Sequence, residues 1–437
     1  MPLSISRRQF IKRSLSLMGA VSLGRAVDLS SLLPHKLSAE DFPQAVVAQG
    51  TDQNTPAEIL KLGLDAIGGL GRFVKPGQVV AIKPNATWAF PPHTASSTDP
   101  DILRALIQMV KDAGAARIIV TDHCSIEPGT ARCLAANGLG AVVEEAGVEA
   151  VFPDRYLAPK ETYTIIDLPE GHAFKKIGVV KAAVDADVRI NMGVAKSHSV
   201  TRMTLALKHM MGFLETPASL HAYLHKGIAD INTSSSIHAD LHILEALRIR
   251  MAYGDYITCG GPETDVTHPF MIKRKNQMIV GVDPVLMDAY ACSTFYAVKP
   301  KELAHLKNAA DWGIGDLEVE AAKTSGKLLL INVGDPLPAH AAILPTPGPQ
   351  ETVVLNQAEI KTPTPIPLSG EAEANQVVGA VTNSQQNYNT IVSPNDFLNT
   401  ALIPASVILV GAGMVAARKK LPLDHPTDEP PPHDEQK

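Results

Sequence analysis

The chain has 437 residues, enough for two or three domains, and its 45% hydrophobic and 19% charged residues are typical of a globular protein. Its net charge of −6 argues against nucleic-acid binding. The 4 cysteines form no C-x-x-C pair, so an iron–sulfur cluster or a cysteine-based zinc site is not expected. One disulfide could form outside the cytoplasm.

The first 39 residues are predicted to be a targeting segment. The run SRRQFIK at residues 6–12 resembles the twin-arginine export motif, and a short apolar region follows at residues 15–23. The motif predicts export of an already folded protein to the periplasmic or extracytoplasmic side of a membrane. The alternative is that the N-terminus is a basic amphipathic segment and not an export signal.

Residues 40–333 alternate between strand and helix patterns. Strands are predicted at residues 78–83, 117–122, 149–152, 163–168, 188–194 and 278–282, and helices at 99–113, 139–146, 177–186, 241–251 and 285–297. Asp99 and Asp283 each precede a proline and are suited to cap the helix that follows. This alternation predicts an α/β fold with a mostly parallel sheet and helices on both faces.

The stretch at residues 190–213, INMGVAKSHSVTRMTLALKHMMGF, carries more charged groups than a buried segment needs. We expect a strand, then a polar loop at 196–201, then a helix at 202–213. In α/β folds a ligand site lies outside the carboxyl ends of strands. Lys196 and His198 would share one side if Lys196 is extended, and Thr204 and Lys208 would share one helix face. The alternative is a solvated loop before a partly exposed helix.

A histidine-rich region follows. His221 and His225 are four residues apart, as are His238 and His242, so each pair would share a helix face. Such spacing can bind a divalent metal, and Asp288 could add a carboxylate, although HEXXH is absent and the spacing also arises by chance. The metal hypothesis therefore names His221, His225 and Asp288.

The composition changes after residue 333. Residues 334–400 are rich in proline and then in polar residues, which predicts a linker. Residues 401–417, ALIPASVILVGAGMVAA, are uncharged and precede Arg418-Lys419-Lys420, which predicts a transmembrane anchor with its basic flank in the cytoplasm. A packed apolar helix is the alternative. The G-x-G-x-x-A pattern within this run is not a dinucleotide site, because only the short charged tail at 418–437 follows it.

Seven short motifs follow one another between residues 79 and 315. They are IKPN at 82–85, T-x-P at 98–100, DVRIN at 187–191, K-x-H at 196–198, Thr201 with LKHMMG at 207–212, GP at 261–262 and DPV-x-x-DA at 283–289. None of them is specific alone, but in this order they resemble the family called domain of unknown function 362. The resemblance implies an α/β fold and a ligand site near these motifs, without a particular reaction.

Two features depart from the family pattern. The family usually has asparagine after the helix lysine, whereas this chain has His209, which titrates near neutrality. Many relatives also carry a ferredoxin-like cysteine module. This sequence lacks that module, so the resemblance does not carry an iron–sulfur cluster over to it.

Polar side chains at the predicted strand ends suggest a site for a small anionic ligand, such as a phosphate or carboxylate. An accessory or assembly protein for an extracytoplasmic redox partner is one alternative, and a histidine metalloprotein is another. No cofactor can be named from the sequence. The predicted catalytic residues are Lys196, His198 and Asp283, and the predicted ligand-binding residues are Lys83, Asn85, Asp122, Thr201 and Lys208.

Overall fold

The computed structural model of the chain describes residues 42–124, 129–154, 157–251 and 271–342. The predicted export signal, most of the linker, the apolar run at 401–417, the tail and the GP motif at 261–262 lie outside these ranges. Among the residues that are described, no helix has both the length and the apolar character needed to cross a membrane.

The described strands form one large sheet and one small one. Their bounds are β1 Ala45–Gln49, β2 Val79–Lys83, β3 Arg117–Thr121, β4 Glu149–Val151, β5 Tyr163–Asp167, β6 Lys176–Val180, β7 Val188–His198, β8 Arg202–Thr204, β9 Leu241–Arg250, β10 Ile272–Gly281 and β11 Leu328–Asn332. The large sheet runs in the order β11-β1-β10-β9-β7-β2-β3-β4, with β8 added to the end of β7, while β5 and β6 form a separate hairpin.

The helices lie between these strands in the chain. Their bounds are α1 Pro56–Ala66, α2 Pro100–Asp112, α3 Thr130–Asn137, α4 Leu139–Ala146, α5 Lys181–Asp185, α6 Ala206–His209, α7 Leu224–Asn232, α8 Pro284–Tyr296, α9 Ala304–Asp311 and α10 Val319–Ser325. Asp99 caps α2 by accepting the backbone N–H of Asp101 at 3.0 Å. The predicted cap is therefore confirmed.

The large sheet is mixed but mostly parallel. Strands β4, β3, β2, β7 and β9 run parallel to one another in that order, and β1 is parallel to β11. Strand β10 is antiparallel to both β1 and β9, and β8 is antiparallel to β7. The fold is therefore α/β, as the sequence predicts.

Two hydrophobic cores cover the two faces of the sheet. Alternate residues of β1 point to opposite sides, so that Val47 joins the core containing α7 and α8, and Val46 joins the core containing α1 and α2. Strand β9 divides in the same way, with Leu244 on the first side and Ile243 on the second. A strand covered on both faces reads as a nearly continuous apolar run.

That double burial explains the main error in the predicted elements. Residues 241–251 were expected to be helical, but Leu241–Arg250 is the strand β9 between β7 and β10. A short apolar run buried on all sides cannot be assigned to helix or strand from its periodicity alone. Similarly, the first half of the helix predicted at 177–186 is strand β6, and only Lys181–Asp185 is helical.

The stretch at 190–213 also differs from the expectation. Strand β7 continues through Lys196 to His198, and the expected polar loop is the turn of a hairpin in which Lys196 pairs with Thr204. Thr204 is therefore on strand β8, and the helix is limited to Ala206–His209 before a 3-10 turn. All eleven residues of β7 are buried, and polar side chains such as Asn191 and Lys196 bond to other groups inside the protein.

Candidate functional site

A cavity of about 390 Å³ lies where β2, β3 and β7 reach their carboxyl ends. Three adjacent parallel strands and helix α6 supply its polar walls. Six of the eight predicted catalytic and ligand-binding residues line it, namely Lys83, Asn85, Asp122, Lys196, His198 and Lys208. Of the metal candidates, His221 also lines it. The position agrees with the general rule that α/β folds bind ligands beyond the carboxyl edge of the sheet.

A buried ion pair forms one side of the cavity. Lys83 Nζ lies 2.7 Å from Asp122 Oδ1, and each side chain is only 1% exposed. The other carboxylate oxygen of Asp122 accepts the backbone N–H of Ala86 at 2.7 Å. Burial lowers the pKa of Lys83, and the charge of Asp122 opposes that shift. The last residue of β2 is thereby tied to the end of β3.

Gly212 is the residue that gives this ion pair its space. A Cβ atom at Gly212 would lie 2.0 Å from Asp122 Oδ1 and 2.4 Å from Lys83 Nζ. Both distances are far shorter than a van der Waals contact, so any side chain here would displace the pair. Packing around the ion pair therefore requires a glycine at the last position of the LKHMMG motif.

A chain of hydrogen bonds runs from Lys83 into the sheet. Asn191 Nδ2 donates to the carbonyl oxygen of Ala206 at 3.0 Å, which fixes the orientation of its amide. Asn191 Oδ1 therefore accepts from His209 Nδ1 at 2.6 Å, and Asn191 Nδ2 also donates to His242 Nδ1 at 3.0 Å. The proton of His209 is on Nδ1, so its Nε2 accepts from Lys83 Nζ at 3.1 Å.

His209 is the residue that departs from the family pattern, and it is held as a neutral imidazole. Burial lowers its pKa well below the usual value, and the charges of Lys83, Lys196 and Lys208 add to that shift. Both ring nitrogens have partners, so the ring acts as a fixed link between Lys83 and Asn191.

Lys196 projects into the cavity from the end of β7. Its Nζ donates to the carbonyl oxygen of Ser96 at 2.5 Å and to Asn85 Oδ1 at 3.3 Å. The backbone N–H of Asn85 donates to Thr98 Oγ1 at 2.8 Å, and the backbone N–H of Thr98 donates to the carbonyl oxygen of Asn85 at 3.0 Å. Burial, followed by the charges of Lys208 and Arg250, lowers the pKa of Lys196 well below its usual value.

His198 lies two residues further along β7 and on the same side. Its Nδ1 accepts the backbone N–H groups of Val200 and Thr201, each at 3.2 Å, so the ring proton is on Nε2. Burial and the charges of Lys208 and Lys196 lower its pKa to about 3. Thr201, predicted to bind ligand, instead donates its hydroxyl to the carbonyl oxygen of Met203 at 2.8 Å and is not part of the cavity wall.

Arg250 is a site residue that the sequence did not reveal. It pairs with Lys196 in the register of β7 and β9, and its Nη1 donates to Ser96 Oγ at 2.8 Å. A helix was predicted at 241–251, and only the strand observed there, in this register, places Arg250 beside Lys196.

Nearby Glu245 accepts the backbone N–H of Asp99 at 2.9 Å, and burial together with Asp99 raises the pKa of Glu245 to about 8.

Other cavity residues were missed because they follow β2 or β3 without a recognisable pattern. His123 Nδ1 donates to the carbonyl oxygen of Gly212 at 3.3 Å, and Tyr163 stacks on its ring at a centroid distance of 6.1 Å. Cys124 also lines the cavity, and its side-chain contact with Cys133 is the largest cause that raises the pKa of its thiol. Trp88 completes the apolar part of the wall.

Asp283, predicted from the sequence to be catalytic, does not line this cavity. It caps α8 by accepting the backbone N–H of Leu286 at 2.8 Å, and its other oxygen accepts the N–H of Asp316 at 2.9 Å. Because α8 begins at the end of the antiparallel strand β10, its amino end lies elsewhere in the fold. It lines a separate cleft with Phe42 and His340.

Asp288 supports the site instead of binding a metal. Its two oxygens accept the backbone N–H groups of Ala206 and Leu207, at 2.8 and 3.0 Å, and so hold the start of α6. Burial raises the pKa of Asp288 to about 8. Helix α6 carries Lys208 and His209, so this carboxyl group positions both of them.

The predicted histidine metal site is not assembled. Asp288 is occupied with backbone groups, and His225 stacks on His305 with ring centroids 5.8 Å apart. Within the described ranges, no three histidine, cysteine or acidic side chains are placed to hold a metal. His305 is fully buried, and neither of its ring nitrogens has a hydrogen-bond partner among the described residues.

Fold and site together define an α/β protein with a cation-lined cavity at the carboxyl edge of its sheet. Residues 80–293, just under half of the chain, match the family model described as Domain of unknown function (DUF362). All the residues described above as lining the cavity lie within that range.

The chain is also similar to a curated protein from Synechocystis sp. that is described as thylakoid-associated. The two are 29% identical over 200 residues, which cover 43% of this chain and 57% of the relative. The chain therefore matches little more than half of that relative's length.

Two solved structures show a more distant likeness. One is the lactate racemase apoprotein from Thermoanaerobacterium thermosaccharolyticum, with 15% identity, a TM-score of 0.30 and coverage of 63% of this chain and 58% of that one. The other is a protein from Thermotoga maritima, with 14% identity, a TM-score of 0.29 and coverage of 47% and 54%. At such scores neither likeness says anything about activity.

Proposed function

We propose that the cavity binds a small anionic ligand through a carboxylate or phosphate group. The observation that carries this proposal is the group of cations at Lys196, where Lys208 and Arg250 are close enough to lower the pKa of its amine. Lys196 itself is buried, donates to two neutral acceptors and forms no ion pair with a described residue. Burial and these charges favour its neutral amine in the empty cavity, and a bound anion would offset the charges of Lys208 and Arg250.

The surrounding charges favour the same ligand. Lys208 lines the cavity and Arg250 lies beside Lys196, and both lower the pKa of Lys196 because they are close to it. Asp122 is already paired with Lys83, and the raised pKa of Glu245 keeps its carboxyl group protonated at neutral pH. These two acids therefore leave a net positive field at Lys196.

The size of the cavity limits the ligand to a small metabolite. Its volume of about 390 Å³ is near the lower end of the range for small-molecule sites, about 300–1,000 Å³. The wall includes the apolar side chains of Trp88, Val200 and Met211, so an anionic head group with a short carbon chain fits its chemistry.

Tryptophan fluorescence gives a direct test. The chain has 2 tryptophans; Trp88 lines the cavity, and Trp312 stacks on His172 elsewhere. In a Trp312→Phe variant, Trp88 is the only tryptophan. Its fluorescence should change as oxalate or inorganic phosphate is added and should reach a plateau once the site is filled. Lys208→Ala should weaken binding about tenfold or more, since a hydrogen bond to a charged group contributes about 1.5–3 kcal/mol.

The matched control is Lys176→Ala, which removes an exposed lysine outside the cavity. It should bind with unchanged affinity. The proposal is wrong if neither anion saturates the Trp88 signal, or if Lys176→Ala weakens binding as much as Lys208→Ala does.

We also propose that the body is exported and tethered to a membrane. The support is the SRRQFIK run at 6–12, the apolar run at 401–417 with its basic flank, and the thylakoid-associated relative. Replacing Arg7 and Arg8 by lysine should retain the protein in the cytoplasm, and deleting residues 401–437 should release it from membranes. Cell fractionation that shows no change in either case would contradict the proposal.

A non-catalytic accessory or assembly role in an extracytoplasmic redox system is the competing proposal, and its support is the SRRQFIK run at 6–12 together with the predicted linker at 334–400. It predicts that a partner protein co-purifies with the chain, and that Lys196→Met and His198→Ala leave that association intact. Loss of the partner with either substitution would favour the cavity as the functional centre.

A further inference from the structure

The amine of Lys196 has an unusual set of contacts for a lysine. Its side chain is buried, and its two acceptors are the carbonyl oxygen of Ser96 and the amide oxygen of Asn85. A neutral amine has two hydrogens and one lone pair. Two acceptors therefore satisfy a neutral amine fully and leave its lone pair for a ligand, whereas an ammonium group would have a third hydrogen to place.

The charged groups around Lys196 oppose its protonation. Lys208 on α6, Arg250 on β9 and Lys83 on β2 all disfavour the charged form, and burial is the largest cause of the lowered pKa. Asp122 on β3 opposes the shift, but it is paired with Lys83 at 2.7 Å. Each pKa unit below the usual lysine value raises the unprotonated fraction about tenfold at neutral pH.

We propose that Lys196 is a nucleophile that forms an imine with the carbonyl group of a small 2-oxo acid or aldehyde acid. This inference rests on the proposed anion binding, because the carboxylate of the ligand would lie near Lys208 while its carbonyl carbon meets Lys196. Desolvated lysines beside other cations are a known way to obtain such an amine.

The step balances without a further reactant. The lone pair of Lys196 Nζ attacks the carbonyl carbon, and a proton moves from nitrogen to oxygen to give a carbinolamine. The carbon–oxygen bond then breaks, and the oxygen leaves as water with the second amine proton. The products are the imine and one water molecule.

His198 is placed to assist this step as a hydrogen-bond donor. Its Nδ1 is occupied by two backbone N–H groups, so its Nε2 carries the proton, and the lowered pKa keeps the ring neutral. A neutral imidazole can polarise a carbonyl group by donating to its oxygen. His198 lies on the same side of β7 as Lys196, and both line the cavity.

Reductive trapping tests the inference. The full-length protein is incubated at neutral pH with pyruvate and sodium cyanoborohydride, which reduces an imine to a stable secondary amine. We expect one adduct per chain, with a mass gain of one pyruvic acid less one oxygen atom, and peptide mapping should place it on Lys196. Lys196→Arg should abolish it, while Lys176→Arg should not change it. Acetone, which lacks the carboxylate, should label far less.

Binding of oxalate, followed by Trp88 fluorescence in parallel, separates the two proposals. If oxalate binds but pyruvate is not trapped on Lys196, the imine is refuted and anion binding stands. If oxalate does not bind and Lys196 is not labelled, both proposals fail. Labelling spread over exposed lysines, or labelling retained in Lys196→Arg, also overturns the imine. Thermal unfolding of Lys196→Arg and Lys196→Met identifies a variant that is folded well enough for the comparison.

Discussion

The ion pair between Lys83 and Asp122 offers the sharpest test of how the cavity is built. In Asp122→Asn an amide replaces the carboxylate at nearly the same size, and its oxygen can still accept the backbone N–H of Ala86. The substitution therefore removes mainly the charge. Lys83 is left buried, with His209 Nε2 at 3.1 Å as its remaining acceptor.

Breaking a buried ion pair by removing one partner costs about 3–5 kcal/mol. Because burial already lowers the pKa of Lys83, the amine can release its proton when Asp122 is lost. The expected loss is therefore near the lower end, about 3 kcal/mol. Replacing both partners, as in Lys83→Met with Asp122→Asn, should restore part of the stability, since neither charge then remains buried.

Urea unfolding measures these free energies, and a double-mutant cycle gives the coupling between the two residues. The control is Asp167→Asn, which breaks an ion pair with Lys176 whose side chains are 72% and 71% exposed. It should cost less than about 1 kcal/mol. If Asp122→Asn costs no more than this control, the argument that the pair organises the cavity is refuted.

Three further predictions concern the same site. Gly212→Ala should destabilise the protein and weaken anion binding, because the new Cβ would collide with the ion pair. An unchanged unfolding temperature in calorimetry, together with an unchanged anion affinity in the Trp88 titration, would contradict this. Asp288→Ala should leave two N–H groups of α6 unsatisfied and cost about 2 kcal/mol or more, measured by urea unfolding, whereas a loss within experimental error would refute its supporting role. Stability should fall as the pH drops below about 6.5, because His198, His242 and His305 have folded pKa values of about 3 and the unfolded chain binds more protons in that window. Because Glu245 and Asp288 offset part of this slope, stability that rises as the pH falls from 6.5 to 4.5 in denaturant titrations would contradict the buried, neutral state of these rings.

Glu245 and Asp288 act in the opposite direction with pH. Their folded pKa values are raised to about 8 from ordinary values of 4.5 and 3.8, so the folded state binds more protons between those limits. The stability they contribute is complete below the unfolded pKa and is lost as the pH rises through about 8. Together with the histidines, they place the maximum of stability in the mildly acidic to neutral range.

The α/β fold class and the edge of the sheet at which the site lies could be predicted, because both depend on local sequence patterns. Short apolar runs followed by Lys83, Asp122 and Lys196 mark strand ends, and parallel strand ends share one edge of a sheet. The capping roles of Asp99 and Asp283 followed from an acidic residue before a proline.

The errors arose where a side chain's role depends on distant parts of the chain. Arg250 was hidden because a strand buried on both faces looks like a helix in sequence. Asp288 and Thr201 look like ligand groups, yet they satisfy backbone or neighbouring atoms that only the folded chain brings near. Asp283 follows a strand as the site residues do, but β10 runs antiparallel to its neighbours in the sheet.

The most direct test of the central claim is to locate an anion in the protein. Selenate is a small oxyanion whose anomalous scattering identifies it in a crystal without ambiguity. We expect an anomalous peak inside the cavity, within hydrogen-bond distance of Lys208 Nζ, that is lost in Lys208→Ala. Selenate bound only at surface lysines, with the cavity empty, would contradict the account.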